Sequence, residues 1–473
     1  MSGKGGEIGA GARFVKETAA RARRRGRRHP ALNFGRARRL MPRRPFLPWK
    51  EAAIRRSSPA PFAPDADPLA AAAALGHGAA MDAAGPPFLV DGNRLTLLTE
   101  GPARMAALLA LIDGARHSLR VLYYIYVDDA AGRAVRDALI AAAARGVRVH
   151  LIVDGLGSEG AAQRGFFAPL TEAGVEMCRF VPRLGRRYLF RNHQKLALAD
   201  EARVIIGGFN IESDYFGTIE EGAWRDMGLL VEGPAAERLV GYFDALAAWA
   251  QQPRAPMRAL ARTLRNWSEP AGRARWLLGG PMRRLSPWAR VVKHDMQHAR
   301  RIDLMAAYFA PSPAMLRRLD KVGQRGRVRL VLPSKLDHGA AVWAARFTYA
   351  GLLRKGVEIY EYLPTKLHTK LFVIDDVVHI GSANFDIRSM FLNLELMLRI
   401  DDPAFAAHVR AFVDGEAARS ERITPELHRA RSGWWTRLFQ FGAYFVMAVL
   451  DYNVTRRLNF GSLQPRRRRI PPG

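Results

Sequence analysis

Residues 367–389 read LHTKLFVIDDVVHIGSANFDIRS, and they place two basic residues at the entrance of an apolar strand. Side chains two positions apart in a strand point to the same face, so His368 and Lys370 lie side by side. The apolar run up to Ile374 predicts a strand anchored in a core, and Asp375 falls at the turn before the next strand. The stretch therefore presents the pattern H-x-K-x-x-x-x-D on a buried hairpin.

The same pattern occurs again as NHQKLALAD, over residues 192–200, which supplies His193, Lys195 and Asp200. Only ten of the 73 basic residues are lysines, so a lysine at the same place in both copies indicates a need for a compact point charge rather than a planar guanidinium. We group Asp200 and Asp375 with the catalytic residues because they complete the two motifs. Their position at a turn nevertheless indicates that they brace the hairpins instead of attacking a substrate.

Small residues and an asparagine follow each motif, namely Gly208 and Asn210 in the first copy and Ser382 and Asn384 in the second. Small residues let the backbone approach a ligand closely, and asparagine supplies amide donors, so these four are candidates for binding phosphate. Two histidines in one such pocket indicate a division of labour. One neutral imidazole attacks phosphorus, and the other, protonated, donates to the leaving oxygen. This is covalent phosphoryl transfer, and we expect neither a metal nor another cofactor.

Strands and helices alternate twice along the chain. The segments 118–127 and 147–154 predict strands on either side of an amphipathic helix, and the same order returns at 301–311 and 328–333. A strand, helix, strand unit implies a parallel pair within an α/β layer architecture. A repeat with a period of about 180 residues then predicts two copies of one α/β domain.

The expected domain boundaries follow from this repeat and from shifts in composition. We expect a disordered basic arm over residues 1–85, a first domain over 86–251, a connector over 252–285, a second domain over 286–430 and a C-terminal segment over 431–473. A start of the protein at Met81 is an alternative interpretation of the arm.

Charge and cysteine content limit the class of protein. The formal charge is +29, and residues 1–60 hold 17 Lys or Arg against three Glu, or +14. Such an arm favours polyanions, either anionic lipid or nucleic acid. Cys178 is the sole cysteine, so no intrachain disulfide forms, and we interpret it as a small buried hydrophobe.

Two further motifs admit competing interpretations. DGLGSEG at 154–160 matches the glycine pattern of a dinucleotide site, but we favour a strand-end loop near the phosphate pocket. His294, Asp295 and His298 could be metal ligands on a helix, but a solvated helix surface is the favoured interpretation.

The C-terminal segment is apolar and rich in aromatic residues. No run of 18 apolar residues occurs, so we expect no ordinary transmembrane helix. Residues 438–450 form an apolar core, preceded by Trp434 and Trp435 and followed by Arg456 and Arg457. These flanks favour an amphipathic segment lying at a membrane interface, whereas a helix buried against the protein's own core remains the alternative.

The paired motifs resemble those of the phospholipase D superfamily. Within it, the stretches RNHQKLALAD, IIGGFNIESDYFG and IGSANFDIRSMFLNLELML look like bacterial cardiolipin synthases of the shorter kind that lacks N-terminal membrane helices. The resemblance implies two tandem domains, each a mixed sheet flanked by helices, which form a pseudo-twofold pair with one shared active site. It also implies a phosphohistidine intermediate.

The resemblance further implies a role for each site residue. His193 is expected to be the nucleophile and His368 the general acid and later base, although the sequence alone leaves this order open. Asp226 in WRDMG and Glu395 in NLELM match the acidic residues that orient the histidine of the other domain. Asp376 departs from the family because a turn glycine is common there.

A cardiolipin synthase would transfer the phosphatidyl group of phosphatidylglycerol to a second phosphatidylglycerol and release glycerol. We expect such a protein to be peripheral on the cytoplasmic face of the bacterial cell membrane. A hydrolytic phospholipase D, with water as acceptor, is the main alternative. A nuclease of the superfamily and a non-catalytic lipid-binding protein are further alternatives, and we expect the partner to be anionic phospholipid at a membrane surface, not nucleic acid. The acceptor and the oligomeric state stay open.

Overall fold

The computed structural model describes residues 85–181, 190–252, 255–282, 285–337 and 339–450. The basic arm expected over residues 1–85 lies, except for Gly85, outside these ranges, as do Arg456 and Arg457.

The first half of the chain forms an eight-stranded mixed sheet in the order β1-β2-β8-β7-β6-β3-β4-β5. Its strands β3, β4 and β5 are parallel, whereas the β6–β7 hairpin and its neighbours are antiparallel. The strands are β1 (Phe88–Val90), β2 (Asn93–Leu98), β3 (Ser118–Tyr123), β4 (Arg148–Asp154), β5 (Glu176–Phe180), β6 (Leu196–Ala199), β7 (Arg203–Gly207) and β8 (Gly228–Glu232).

Helices cover this first sheet and make its parallel crossovers. Among them α2 begins where the Asp129 carboxylate accepts a hydrogen bond from the backbone N–H of Gly132, which satisfies one free donor of the first turn. The helices are α1 (Gly101–Asp113), α2 (Ala130–Ala144), α3 (Glu159–Gln163), α4 (Ala168–Glu172), α5 (Pro234–Glu237) and α6 (Val240–Gln251), with a 3₁₀ turn at Ser213–Tyr215.

The second half forms another eight-stranded mixed sheet, in the order β18-β13-β12-β10-β14-β15-β17-β9. A two-stranded ladder of β11 and β16 lies beside it. The strands are β9 (Ala274–Gly279), β10 (Arg301–Ala306), β11 (Phe309–Ala310), β12 (Arg327–Pro333), β13 (Glu358–Tyr362), β14 (Lys370–Ile374), β15 (Val377–Gly381), β16 (Phe385–Asp386), β17 (Glu395–Asp401) and β18 (Ser420–Ile423).

The helices of the second half include the C-terminal segment. They are α7 (Met257–Asn266), α8 (Pro287–His298), α9 (Pro313–Arg325), α10 (Gly339–Leu353), α11 (Ile387–Phe391), α12 (Pro403–Ala418), α13 (Pro425–Arg431) and α14 (Trp434–Phe445), which continues as a π-helical turn at Val446–Leu450. Within the described ranges, no helix combines the length and the apolar character needed to cross a membrane.

The two sheets repeat one strand order. Seven strands correspond: β2-β8-β7-β6-β3-β4-β5 of the first sheet matches β9-β17-β15-β14-β10-β12-β13 of the second, and β1 and β18 are the two additional edge strands. The expectation of two tandem α/β domains with mixed sheets is therefore confirmed. Residues 252–285, which we expected to be a connector, contribute α7 and the edge strand β9 instead. The second sheet thus begins at Ala274, before the expected boundary at 286.

One buried apolar cluster draws on both sheets. It includes Leu196 and Leu229 from the first sheet and Leu371 and Leu396 from the second, all at most 1% exposed. Cys178 packs in the same cluster, as expected of a small buried hydrophobe. Because one core stabilises both halves, the ends of the two motif-bearing hairpins are held in a fixed relation to each other.

Candidate active site

Each histidine-bearing segment is tied by backbone hydrogen bonds to the other half of the chain. The N–H of His193 donates to the carbonyl of Leu394 at 3.0 Å, and the N–H of His368 donates to the carbonyl of Arg225 at 2.8 Å. Leu394 and Arg225 directly precede Glu395 and Asp226. These bridges therefore bring each histidine next to an acidic residue of the opposite domain.

The two acidic residues contact the imidazoles as the family resemblance implies. His193 Nδ1 lies 3.1 Å from Glu395 Oε2, and His368 Nδ1 lies 2.6 Å from Asp226 Oδ2. Both acidic side chains are fully buried. When Nδ1 carries the proton and donates to the carboxyl group, Nε2 keeps its lone pair for a substrate.

Both motif lysines are buried beside their own histidines. Lys195 Nζ donates to the carbonyl of His193 at 2.7 Å, and Lys370 Nζ donates to the carbonyl of His368 at 2.5 Å. Burial and repulsion from Lys370 lower the pKa of Lys195 to about 7, and burial lowers the pKa of Lys370 to about 8. An incoming phosphodiester anion would favour the charged form of both lysines.

The imidazoles are neutral in the substrate-free site. Burial, followed by the charges of Lys195 and Lys370, lowers the pKa of His193 well below its usual range. Burial and the adjacent Lys370 lower the pKa of His368 to about 3, against the opposing effect of Asp226. The protonated imidazole that we expected at one histidine is thus not favoured before substrate binds. A phosphodiester anion next to the ring would raise its pKa.

The two carboxyl groups differ in charge. Burial raises the pKa of Glu395 to about 8. Burial also pushes the pKa of Asp226 upward, but Lys370 and His368 outweigh it, and the pKa of Asp226 is lowered. Near neutral pH, His368 therefore faces an anion, whereas His193 faces a largely protonated carboxyl group.

Of the four residues expected to bind phosphate, the three that carry side chains make contacts within the protein. Ser382 Oγ donates to Glu395 Oε2 at 2.5 Å. Asn210 Oδ1 accepts from the N–H of Ile125 at 3.3 Å, and Asn384 Oδ1 accepts from the N–H of Tyr308 at 3.2 Å. These side chains hold the loops and Glu395 in position, and their contact with phosphate stays a prediction.

Gly208 lies where two site residues leave no space for a side chain. A Cβ there would lie 2.5 Å from Asp226 Oδ1 and 2.9 Å from Lys370 Cδ. Such distances do not occur between non-bonded atoms, so glycine permits Asp226 and Lys370 to approach the backbone of the first half. We expected close approach at this position toward a ligand, whereas the structure shows it toward Asp226 of the same half and Lys370 of the other half.

Asp200 and Asp375 lie at the ends of β6 and β14 remote from the histidines. Asp200 accepts three backbone N–H hydrogen bonds from residues 116–118, and Asp375 accepts hydrogen bonds from those of Arg300 and Arg301. Their grouping with the catalytic residues is corrected accordingly. They brace the hairpins against the start of the neighbouring strand, as their position at a turn had indicated.

The shortened second turn does not need a glycine. Asp200 and Glu201 both have positive φ in the first hairpin, at 51° and 61°. Among the described residues of the second turn, Asp375 has positive φ, at 48°, and Asp376 does not. An aspartate at position 376 is therefore compatible with the turn.

Aromatic residues that we did not predict as site residues lie next to the histidines. The ring of Tyr124 lies 5.0 Å from that of His193, and the rings of Tyr215 and Trp224 lie 5.1 and 5.4 Å from that of His368. Trp224 is two residues before Asp226, which is the one local signal that could have identified it. These rings limit the access of water and contribute to the desolvation of the imidazoles.

Arg104 of α1 supports one side of the site. Its guanidinium donates to the carbonyls of Asp226 and Tyr215, at 2.7 and 2.6 Å, and it is 1% exposed. No pattern in the sequence distinguished this arginine from the other 62. It fixes the segment that carries Asp226.

The glycine motif at 154–160 forms a strand-end loop next to the site. Asp154 Oδ1 accepts from the N–H groups of Leu156 and Gly157, both at 3.0 Å, and its Oδ2 accepts from the N–H of Asn192 at 2.9 Å. This loop therefore positions the residue before His193.

The interpretation of Asp295 as part of a solvated helix surface is wrong. Its carboxylate lies 2.9 Å from His379 Nε2 and from Arg399 Nε, in a nearly buried ion-pair network. His294 and His298 do not join it as ligands, and the described part of the chain contains no group of three His, Cys, Asp or Glu arranged to hold a metal.

The sequence was compared with families and with curated proteins. The model of the family described as "Cardiolipin synthase, PLD-like domain" matches residues 108–246 and 292–415, one match in each half. Cardiolipin synthase A of Pseudomonas aeruginosa is 32% identical over 347 residues, which cover 72% of this chain and 70% of that protein. The major cardiolipin synthase of Bacillus subtilis is 30% identical over 359 residues, or 73% of each chain.

Among solved structures, phosphatidylserine synthase of Haemophilus influenzae shares the fold. Its TM-score is 0.59 at 14% sequence identity, and the match covers 80% of this chain and 99% of the other. At that identity the likeness concerns the arrangement of strands and helices alone.

Proposed function

Since the chain belongs to the cardiolipin synthase family with phospholipase D-like domains, and is a phosphatidyltransferase of that superfamily, we propose that it makes cardiolipin from two molecules of phosphatidylglycerol. The observation that carries the proposal is the reciprocal pairing across the two halves. Glu395 of the second half contacts His193 of the first, and Asp226 of the first contacts His368 of the second.

In the first step, the phosphodiester anion of phosphatidylglycerol binds between the ammonium groups of Lys195 and Lys370. The lone pair on Nε2 of His193 attacks phosphorus, so that a nitrogen–phosphorus bond forms and the bond from phosphorus to the glycerol oxygen breaks. His368, whose protonation the bound anion and Asp226 favour, gives its proton to that oxygen. Glycerol leaves, and the phosphatidyl group stays on His193.

In the second step, the terminal hydroxyl of another phosphatidylglycerol attacks the phosphatidyl-histidine. Neutral His368 takes the hydroxyl proton, the new oxygen–phosphorus bond forms, and the bond to His193 breaks. Two phosphatidylglycerols thus give one cardiolipin and one glycerol, and the protein returns to its starting state.

The unequal charges behind the histidines support this assignment of roles. An imidazole that gains and loses a proton in each turnover benefits from a fixed anion at Nδ1, which is what the lowered pKa of Asp226 provides for His368. His193 needs a neutral imidazole to attack, and its depressed pKa together with a protonated Glu395 supplies one.

The substrate lies in a bilayer, so we further propose that the protein works as a peripheral protein on the cytoplasmic face of the cell membrane. The anionic lipids of that surface attract basic segments, and the first 60 residues alone carry +14.

The test is to incubate the protein with vesicles of phosphatidylglycerol and phosphatidylethanolamine and to identify the lipid products by mass spectrometry. We expect cardiolipin and glycerol from the wild type, and neither from His193→Ala or His368→Ala. His298→Ala, at an exposed histidine on α8, is the matched control and should keep full activity. Phosphatidic acid as the sole product would instead identify a hydrolase, and cleavage of added single-stranded DNA would identify a nuclease.

A further inference from the structure

The large apolar side chains of helix α14 and its π-helical turn face outward, whereas a helix that packs on a protein core normally buries them. Exposed fractions are 66% for Trp434, 59% for Trp435, 51% for Leu438, 59% for Phe439, 49% for Phe441, 39% for Phe445 and 53% for Val446. A surface helix of a globular protein normally turns such residues inward. Seven of the fourteen large apolar side chains exposed in the described residues lie in this one segment.

The inward face of the same helix is short and partly polar. Gln440, Tyr444 and Ala448 follow one another at intervals of four residues, and each is at most 7% exposed. The Tyr444 hydroxyl donates to the carbonyl of Pro311 at 2.8 Å. The helix is therefore docked by a defined stripe, and its outward apolar face is not the result of a helix lying loose.

A second helix extends the apolar face. Trp343 and Phe347 of α10 are 39% and 37% exposed, and their rings lie 5.6 Å from those of Phe439 and Phe441 respectively. Exposed apolar side chains from two packed helices thus form one continuous patch. We call these nine residues the aromatic face. A contiguous patch of this kind marks an interaction surface.

The aromatic face lies at the active-site end of the second sheet. The last residue of β10, Ala306, pairs with Lys370, so the chain leaves β10 at that end. Two residues on, the N–H of Tyr308 donates to Asn384, and Pro311 then accepts the hydroxyl of Tyr444. The segment that anchors α14 is therefore the one that leads directly away from the site.

Charge around the aromatic face favours an anionic partner. Arg437 is exposed on α14 itself. From residue 432 to the end of the sequence there are seven arginines and one aspartate, a net charge of 7 − 1 = +6. Tryptophan and arginine next to exposed leucine and phenylalanine are typical of helices that lie in the headgroup region of a bilayer.

We propose that the aromatic face inserts into the surface of an anionic phospholipid bilayer and thereby holds the active site against the headgroups. The proposal rests on the proposed function for its choice of partner, since a phosphatidyltransferase has to reach lipid phosphates without extracting the lipid. The side chains of α14 enter the interface, those of α10 widen the contact, and the arginines attract the anionic headgroups.

The experiment measures sedimentation of the full chain with phosphatidylglycerol vesicles for the wild type and for the double variant Leu438→Glu/Phe439→Glu. Both residues are more than half exposed, so the variant should fold. We expect its partition coefficient to fall at least tenfold. Trp343→Glu should also weaken vesicle binding, although no sequence pattern predicted that its helix, α10, contacts a membrane. The matched control is Leu89→Glu, on β1 and 79% exposed, which should bind within twofold of the wild type.

Activity assays separate failure of this surface from failure of the proposed function. On a short-chain phosphatidylglycerol kept below its micelle concentration, the double variant should turn over within twofold of the wild type, whereas on vesicles it should be at least tenfold slower. Unchanged vesicle binding in the double variant would overturn the proposal. The proposal would also be overturned if light scattering showed that the wild type is a dimer and that the two substitutions dissociate it. The aromatic face would then bind a second copy of the chain. Vesicle binding without turnover of either substrate would leave the surface in place and reject the function.

Discussion

The most specific prediction concerns the unequal carboxyl groups behind the two histidines. We compare Asp226→Asn with Glu395→Gln, because each substitution keeps the shape of the side chain and removes its ability to ionise. Asp226 faces His368 Nδ1 at 2.6 Å and is anionic, since Lys370 and His368 hold its pKa below its usual range. Glu395 faces His193 at 3.1 Å, and burial raises its pKa to about 8, so near pH 7 it is largely protonated.

The expected losses follow from the kind of hydrogen bond that each substitution changes. A hydrogen bond to a charged group contributes about 1.5–3 kcal/mol, which corresponds to roughly 10- to 150-fold in rate. A neutral hydrogen bond contributes about 0.5–1.5 kcal/mol, or roughly 2- to 13-fold. The two ranges differ by about 1–1.5 kcal/mol, so we expect Asp226→Asn to lower kcat roughly 5- to 12-fold more than Glu395→Gln.

The assay is the initial rate of cardiolipin formation at saturating phosphatidylglycerol and pH 7. Melting temperatures of both variants serve as the control for folding, because both positions are fully buried. If Glu395→Gln lost as much activity as Asp226→Asn, or more, while both variants stayed folded, the assignment of the fixed anion to His368 would be refuted.

Three further predictions test the geometry and the ionisation of the site. Gly208→Ala should lower activity at least a hundredfold, because its methyl group displaces the Asp226 carboxylate and the Lys370 side chain. The control Gly160→Ala, whose added Cβ has no atom within 4 Å, should be as active as the wild type. Equal activity of the two variants would contradict the close approach at Gly208. Arg225→Met removes the cation at 2.7 Å from the buried Glu416 and leaves it only the exposed Arg419 at 3.9 Å, so it should lower the free energy of unfolding by about 3–5 kcal/mol. Arg431→Gln, at an exposed pair, should lower it by about 0–1 kcal/mol. Chemical denaturation measures both, and a similar loss in the two would be inconsistent with the burial of the first pair. Protonated Glu395 stabilises the folded state fully below about pH 4.5, the pKa of this carboxyl group in the unfolded chain, and the contribution is lost as the pH rises through the folded-state pKa of about 8. The melting temperature of Glu395→Gln should therefore fall less between pH 5 and 8 than that of the wild type. Parallel declines of the two melting temperatures would argue against a protonated Glu395.

The repeat and the motif hairpins could be predicted because their signals are local. Alternating apolar residues after His193 and His368 specify a buried strand wherever they occur, and the equal order of elements in the two halves specifies two similar sheets. The pairing of Glu395 and Asp226 with the opposite histidines came from the family resemblance, since no local pattern states which distant segments meet.

What the sequence did not indicate depends on packing between distant segments. Ser382 has the size and the position of a phosphate-binding residue, yet its hydroxyl is used to hold Glu395. The protonation of Glu395 depends on its complete burial, which only the meeting of both halves produces. Strand β9 was missed because its apolar residues follow a segment rich in Gly, Pro and Arg that reads as a connector.

Both interpretations of the C-terminal segment were incomplete for the same reason. Its composition predicted an interfacial helix or a buried one, and the pattern alone does not say which side packs. The structure docks a stripe through Gln440 and Tyr444 and exposes the tryptophans and phenylalanines. The side that a helix presents to its own protein is a tertiary property.

The measurement that tests the central claim most directly is mass spectrometry of the protein after acid-free denaturing quench during turnover of phosphatidylglycerol. We predict a phosphatidyl adduct on the peptide that contains His193, which forms at a rate no slower than cardiolipin and is absent from His193→Ala. Cardiolipin formation without any histidine adduct, or undiminished turnover by His193→Ala, would contradict the account.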